Sequence, residues 1–313
     1  MSQVLGASQA ASELAGEVGT GHAFGTFGEL LQGVLPGGGT NFLVTFPIDA
    51  WATATFRYHA EARDITLRPA HKRKCRAVAG LVLAAAGVAG GGELELTGDL
   101  PEGKGLASSS ADLVATVRAV GAAIGMRLTA ARIESFLRHI EPSDGVMYDE
   151  IVAYYQRQVR LCRPIGRLPA LTIVAHDEGG QVDTIRHSRL PNPFSTADAR
   201  EYARLLDELT EAITVGDLPT VGRISTRSAV LNSKARIRHD LDALRRACHD
   251  VGGLGLVLAH SGTMLGVVLE ADDPELTGKV QHLRAAGRPL GGQVSVYHSL
   301  GAGRDWSPQS GTP

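Results

Sequence analysis

Residues Pro101 to Ala111, reading Pro-Glu-Gly-Lys-Gly-Leu-Ala-Ser-Ser-Ser-Ala, constrain this chain more than any other stretch. They follow a short alternating run, Glu93-Leu94-Glu95-Leu96, and lead into Leu113, Val117, Val120 and Ile124 at helical spacing. The pattern predicts a strand, a glycine-bearing loop and the start of a helix. The first turn of a helix leaves amide groups without partners and carries the positive end of the helix dipole, so it is a ready seat for phosphate. Gly103 and Gly105 let the backbone bend close to a bulky anion, while Ser108, Ser109 and Ser110 supply hydroxyls for phosphate oxygens or for Mg²⁺. On loop chemistry alone, an ordinary N-cap with spare serines fits as well.

The 313 residues suffice for a sizeable core in one large or two modest domains. A net charge of −2 creates no field favouring nucleic acid or an anionic membrane, which leaves small soluble molecules as the expected partners. The basic cluster His71-Lys72-Arg73-Lys74-Cys75-Arg76 precedes an apolar run and reads as a solvated helix start. Cys75, Cys162 and Cys248 are odd in number and far apart, so neither a disulfide framework nor a structural zinc site is expected. The first Lys or Arg is Arg57, and the longest apolar stretch, Ala77 to Ala89, is too short to span a bilayer. A cytoplasmic protein without a membrane segment follows as the expectation.

Along the chain, residues 1–21 read as a mobile arm. Phe42 to Ile48, Trp51 to Tyr58 and Ile65 to Leu67 read as strands, with His71 to Ala89 as a helix. Thr129 is the expected N-cap of a helix carrying Ile133, Phe136, Leu137 and Ile140, which must stop near Pro142. Glu134 lies beside that apolar stripe and can pair with Arg138 at i+4. Asp144 sits on a turn framed by Pro142 and Gly145; such a carboxylate can accept a proton from a hydroxyl, or simply make an Asx-turn. The prolines and glycine of Arg163 to Pro169 place a domain boundary there. Beyond it come a strand at Leu171 to Ala175, helices at Ala197 to Val215, Leu218 to Asn232 and Ile237 to Val251, and a hairpin of Leu254 to Ala259 with Met264 to Leu269. A helix at Pro274 to Ala286 and a strand at Gln293 to Tyr297 complete the chain. His176-Asp177-Glu178 reads as a solvated strand end, because adjacent strand residues point to opposite faces.

The string P-x-x-x-G-L-x-S-S-x-A resembles the second motif of the GHMP kinase superfamily, named after galactokinase, homoserine kinase, mevalonate kinase and phosphomevalonate kinase. Gly28, Glu29, Leu30, Gln32 and Gly33 resemble the first motif as it occurs in the L-threonine kinase branch, with Phe24 where that branch has proline. Pro47-Ile48-Asp49 and Glu141-Pro142-Ser143-Asp144 resemble further blocks of the same branch, and His260-Ser261-Gly262-Thr263 resembles the glycine-rich third motif.

The resemblance implies an α+β, two-domain GHMP kinase fold, with an N-terminal domain like ribosomal protein S5 domain 2 over residues 22–165 and a C-terminal ferredoxin-like α/β sandwich over 166–313. It implies ATP and Mg²⁺ as cofactors and a small hydroxylated substrate, L-threonine or a similar hydroxy amino acid, with homoserine, another small alcohol or a catalytically silent ligand sensor as alternatives. It places ATP on Pro101, Gly103, Lys104, Gly105, Leu106, Ala107, Ser108, Ser109 and Ser110, and the metal on Ser109 and Glu134, leaving open whether Glu141 serves instead. Asp144 becomes the catalytic acceptor, and Glu29, Gln32, Asp49, Ser261, Gly262 and Thr263 line the substrate side. A homodimer stays open.

Overall fold

A computed structural model describes residues 17–180, 193–259, 262–303 and 306–308. Its backbone is organised by two long antiparallel strands, β1 (Val18–Leu35) and β2 (Thr40–His59), joined through Pro36 and three glycines. Phe42 to Tyr58, expected as two strands, is therefore one. The interruption read at Asp49 is a bulge: Phe24 pairs with Trp51 and Gly25 with Ile48, so Asp49 and Ala50 are extra residues on β2. Val18 to Gly21, expected in the arm, pair with Ala54 to Arg57, whereas residues 1–16 of that arm lie outside the described residues.

β3 (Ile65–Arg68), the helix α1 (Arg73–Ala86) and β4 (Gly91–Gly98) follow, β4 pairing with β2 and, in parallel, with β3. Next comes α2 (Ser108–Ala123), in which twelve of the sixteen residues are buried. A helix apolar nearly all round belongs inside a core, and glycines opposite make room for it. A Cβ on Gly19 would stand 2.2 Å from the carbonyl oxygen of Ala119, and one on Gly21 2.3 Å from that of Ala115. The helix thus lies backbone against backbone on β1.

α3 (Ala130–Leu137) begins as expected, with the Thr129 hydroxyl accepting from the Arg132 amide at 3.2 Å. The hairpin β5 (Ile151–Tyr155) and β6 (Arg160–Gly166) adds to the first residues of β2, at Leu43 and Val44, and the segment expected as a boundary is in part this edge strand. β7 (Leu171–Asp177), α4 (Thr196–Val215) and α5 (Leu218–Asn232) then lead to α6 (Leu241–Asp250). α6 starts four residues later than expected, because Arg238 and Asp240 are drawn into a buried ion pair ahead of it. β8 (Gly255–Leu258), β9 (Met264–Glu270), α7 (Leu276–Gly287) and β10 (Gln293–His298) finish the chain.

The strands form one sheet in the order β10-β7-β9-β8-β1-β2-β4-β3, with β5 and β6 branching from β2. α1, α2 and α3 cover one end around a core that includes Phe24, Phe56, Val114 and Tyr154, while α4 to α7 cover the other. The architecture mixes α and β elements, as expected. Among the described residues no helix is long and apolar enough to cross a membrane, and the three cysteines are free.

The tail closes the two ends together. Ser299 bridges Ile48, Leu300 donates to the Pro47 carbonyl at 3.0 Å, and Trp306 stands edge-on to Phe24 at 5.4 Å beneath the guanidinium of Arg167. Trp306 is only 9% exposed. Trp306→Ala should cost about 3 kcal/mol or more of unfolding free energy, read as a lower urea midpoint.

Candidate active site

Pro101 to Ala107 fold as a loop whose Gly103 and Gly105 have φ of 72° and 81°. Ala107, the residue ahead of α2, is also left-handed at φ 57°, which costs a residue with a Cβ about 1 kcal/mol. It is held there by its neighbour, since Leu106 is fully buried and its carbonyl accepts from the Thr26 amide of β1 at 3.2 Å. No side chain caps α2, so the amides that open it face outward with the helix dipole behind them. Ser109 is exposed beside them, and Ser110 is buried.

The turn of the third motif packs onto this loop. A Cβ on Gly262 would fall 1.8 Å from the Lys104 carbonyl oxygen, and one on Gly105 2.7 Å from the Ala259 Cβ. Glycine is the residue that permits this approach. Thr263 is buried and its hydroxyl donates to Asp177, while His260 and Ser261 lie outside the described residues.

Asp144 reaches the start of α2 from the other side. Its amide donates to Ser110 Oγ at 3.0 Å, and that hydroxyl donates to Asp144 Oδ2 at 3.3 Å. Burial pushes the Asp144 carboxyl up to about 6; the Ser110 bond opposes this and the nearby Glu141 charge adds to it.

Of the two carboxylates weighed for the metal, Glu134 is engaged elsewhere: its Oε1 accepts from the Tyr148 hydroxyl and the Leu161 amide, both at 2.9 Å, and its Oε2 pairs with Arg138 at 3.3 Å. The acid bonded to Ser109 is Glu141, which accepts from Ser109 Oγ on one oxygen and from Lys74 Nζ on the other. Among the described residues no group of three His, Cys, Asp or Glu side chains could hold a metal ion. Ser109 and Glu141 nonetheless suit Mg²⁺, which binds through one or two carboxylates plus substrate phosphates and keeps several waters.

Among the described residues, Lys72, Lys104 and Arg236 are each already paired with an acid. Lys72 bonds Asp112 at 2.6 Å and Glu102 at 3.3 Å, and these bonds raise its pKa although burial alone would lower it. Lys104, expected at the phosphates, bonds Asp177 at 2.7 Å and the Gly180 carbonyl at 2.9 Å. Burial would raise the Asp177 carboxyl, but Lys104, Thr263 and the Gly179 amide together hold it below the usual range. Arg236 donates to the Gly262 carbonyl and to Glu178. His176 is buried between Asp240 at 2.8 Å and the Gly291 carbonyl at 2.7 Å; the Asp240 bond, foremost, raises its pKa against burial. The strand end expected to be solvated is therefore a charged junction behind the third motif, missed because its partners lie some sixty residues away.

The remaining substrate-side residues divide. Glu29 and Gln32 are buried where β1 meets β8: Glu29 pairs with Leu258, and Gln32 Nε2 donates to the Leu258 carbonyl at 3.0 Å. That seam adjoins Ala259 and the loop. Asp49 instead accepts from its own strand's Trp51 indole at 2.7 Å, in a recess lined by Trp51, Thr53, Gly98, Asp99 and Pro308. The residues that gather are thus the 101–110 loop, Glu141, Asp144, Gly262 and Thr263.

A loop, an uncapped helix, a glycine turn and a half-buried acid meet on this sheet, and the chain is similar to known proteins in sequence and in fold. Residues 73–156 match the GHMP kinases N-terminal domain. The homoserine kinase of Cytophaga hutchinsonii superposes with a TM-score of 0.71 at 17% identity, covering 91% of this chain and 95% of that one. The matched domain covers less than half of the chain, whereas the fold shared with that homoserine kinase spans nearly all of it. In sequence the chain is similar to two L-threonine kinases. With that of Salmonella typhimurium (strain LT2) it is 25% identical over 263 residues, covering 81% of this chain and 84% of the relative; with that of Citrobacter freundii it is 22% identical over 178 residues, 56% and 62%. The chain spans less than two thirds of the length of the second.

Gly262→Ala should push the turn off the loop. Faster tryptic cleavage after Lys104, with unchanged far-ultraviolet circular dichroism, is the expected result; unaltered cleavage would show that the contact does not hold the loop.

Proposed function

We propose that this chain is an ATP-dependent kinase that phosphorylates the side-chain hydroxyl of L-threonine or a similar hydroxy amino acid, giving O-phospho-L-threonine and ADP. The observation that carries the reading is the hydrogen-bonded pair of Ser110 and Asp144, which sets a half-buried carboxylate beside the uncapped amides of α2. Phosphoryl transfer asks a protein chiefly for positioning and charge neutralisation, and both are available at this junction. The substrate class rests on the similarity to L-threonine kinases.

In this reading residues 22–165 are the nucleotide-binding domain and 166–313 the second domain, at work in the cytoplasm. The amides from Gly103 to Ser110 hold the phosphates. Ser109 and Glu141 hold Mg²⁺, which when bound neutralises charge on the phosphates. Asp144 accepts the hydroxyl proton as the substrate oxygen takes the terminal phosphoryl group and ADP departs. Lys104 exchanges Asp177 for phosphate. Arg236, a planar donor at the Gly262 turn, exchanges Glu178 for the carboxylate of the amino acid. Glu29, Gln32 and Thr263 shape the acceptor side.

Release of ADP on a panel of hydroxy amino acids should be fastest with L-threonine. Binding of ATP without ADP release on any of them would make the protein a sensor, and a preference for homoserine would move it to that reaction. Asp144→Asn should lower kcat at least about a hundredfold with little change in the KM for ATP.

The pH dependence has a definite sign. Because the free protein holds Asp144 at about 6, kcat/KM should rise with pH through an acid limb near that value. An aspartate whose pKa is higher folded than unfolded gives stability at low pH that is lost as pH rises through the folded value. Asp144→Asn removes that penalty, so at pH 8 the variant should be at least as stable as the parent in urea, by up to on the order of 1–3 kcal/mol.

A further inference from the structure

We infer that Glu134 is a positioning residue that fixes the Asp144 turn through Tyr148, an inference that rests on the kinase reading above for its effect on turnover. Glu134 is 4% exposed, and its oxygens are engaged by three donors from three places: the Tyr148 hydroxyl, the Leu161 amide of β6 and the Arg138 guanidinium. A buried carboxylate is costly unless its lone pairs are satisfied, and replacing one partner leaves a buried charge or dipole uncompensated. The group therefore resists any movement of those three donors.

Tyr148 is the donor that matters for the acid. It stands four residues beyond Asp144, and its amide donates to the Gly145 carbonyl at 3.3 Å, so Tyr148 closes the tight turn that Asp144 leads into. One end is held by Ser110 of α2 and the other by Glu134 of α3. The surroundings brace the second anchor. Arg138 also donates to the carbonyls of Gln158 and Val159, both at 3.1 Å, and the Gln156 carbonyl of the same hairpin accepts from the Ser143 amide at 3.1 Å. With Tyr148 released, the turn loses its tie to α3 and is left to the α2 bonds of Ser110 and Arg118, the Ser143 bond to the hairpin and the burial of Val146 and Met147, so the acid is held less precisely. A misplacement of about 1 Å can cost as much as a hundredfold in rate.

The test uses the full chain with Tyr148→Phe, Glu134→Gln and the double substitution. Tyr148→Phe should lower kcat about tenfold or more while the KM for ATP and the half-saturating Mg²⁺ concentration stay within twofold. Glu134→Gln should do the same, and the double variant should be little worse than either, since both break one link. A tenfold rise in the Mg²⁺ requirement of Glu134→Gln, with normal turnover in Tyr148→Phe, would make Glu134 a metal ligand and overturn the inference. If Glu134→Gln fails to fold, Tyr148→Phe decides alone, because it leaves the carboxylate in place. Amide hydrogen exchange over residues 143–148 reads the anchor without any reaction: faster exchange there in Tyr148→Phe, at unchanged global stability, supports it, and unchanged exchange refutes it even where no ADP release is found.

Discussion

The site depends on a contact between two backbones. α2 lies on β1 with Gly19 and Gly21 against the carbonyls of Ala119 and Ala115, closer than any side chain would allow. A helix seated that way has no soft layer on which to slide, so its N-terminus is a fixed point. The loop ahead of it is clamped from both sides, by the Thr26 amide on Leu106 and by Gly262 on Lys104. Donors held so firmly need little reorganisation when an anion arrives, which is the condition under which backbone amides stabilise charge well. The left-handed Ala107 is the visible cost.

Around this fixed point the protein stores its positive charge in neutral pairs. Lys72, Lys74, Lys104 and Arg236 each bond an acid from another element: Asp112 and Glu102, Glu141, Asp177, and Glu178. The Lys74 and Arg236 pairs are the more exposed, and pairs of that kind contribute little to stability, so exchanging the acid for a ligand's anion costs little there; the Lys72 and Lys104 pairs are more enclosed. The deeper pairs differ. Arg238 with Asp240, and Asp240 with His176, are almost wholly buried and hold the base of the third-motif turn. The movable charges therefore stand on a rigid charged floor.

The local patterns carried most of the fold. The spacing of Leu113, Val117 and Val120, the Thr129 cap and the glycines at 252 to 255 each place an element where it occurs, because each is decided within a few residues. The Asp49 interruption failed for the opposite reason: a bulge is fixed by the partner strand, and nothing within β2 tells a bulge from a turn. At His176 to Glu178 the alternation of faces was right, since His176 and Glu178 turn to Asp240 and the arginines while Asp177 turns to Lys104 and Thr263. Solvation was wrong, because burial there is supplied by distant segments. The loop and its acid were legible through motif order, which local propensity could not supply.

The two glutamates show how side-chain chemistry and place in the chain divide the work. Glu134 sits within the last helical turns, next to the apolar stripe of Ile133 and Leu137, so the helix carries it inward and it must find donors there. Glu141 follows the helix end and precedes Pro142, where the chain leaves the core, so it stays at the rim with Ser109 and Lys74. A hard cation that retains waters needs the rim, whereas a tight turn needs an interior anchor. Seven residues, about two helical turns, separate a group suited to charge neutralisation from one suited to geometry, and the end of α3 between them sets which is which.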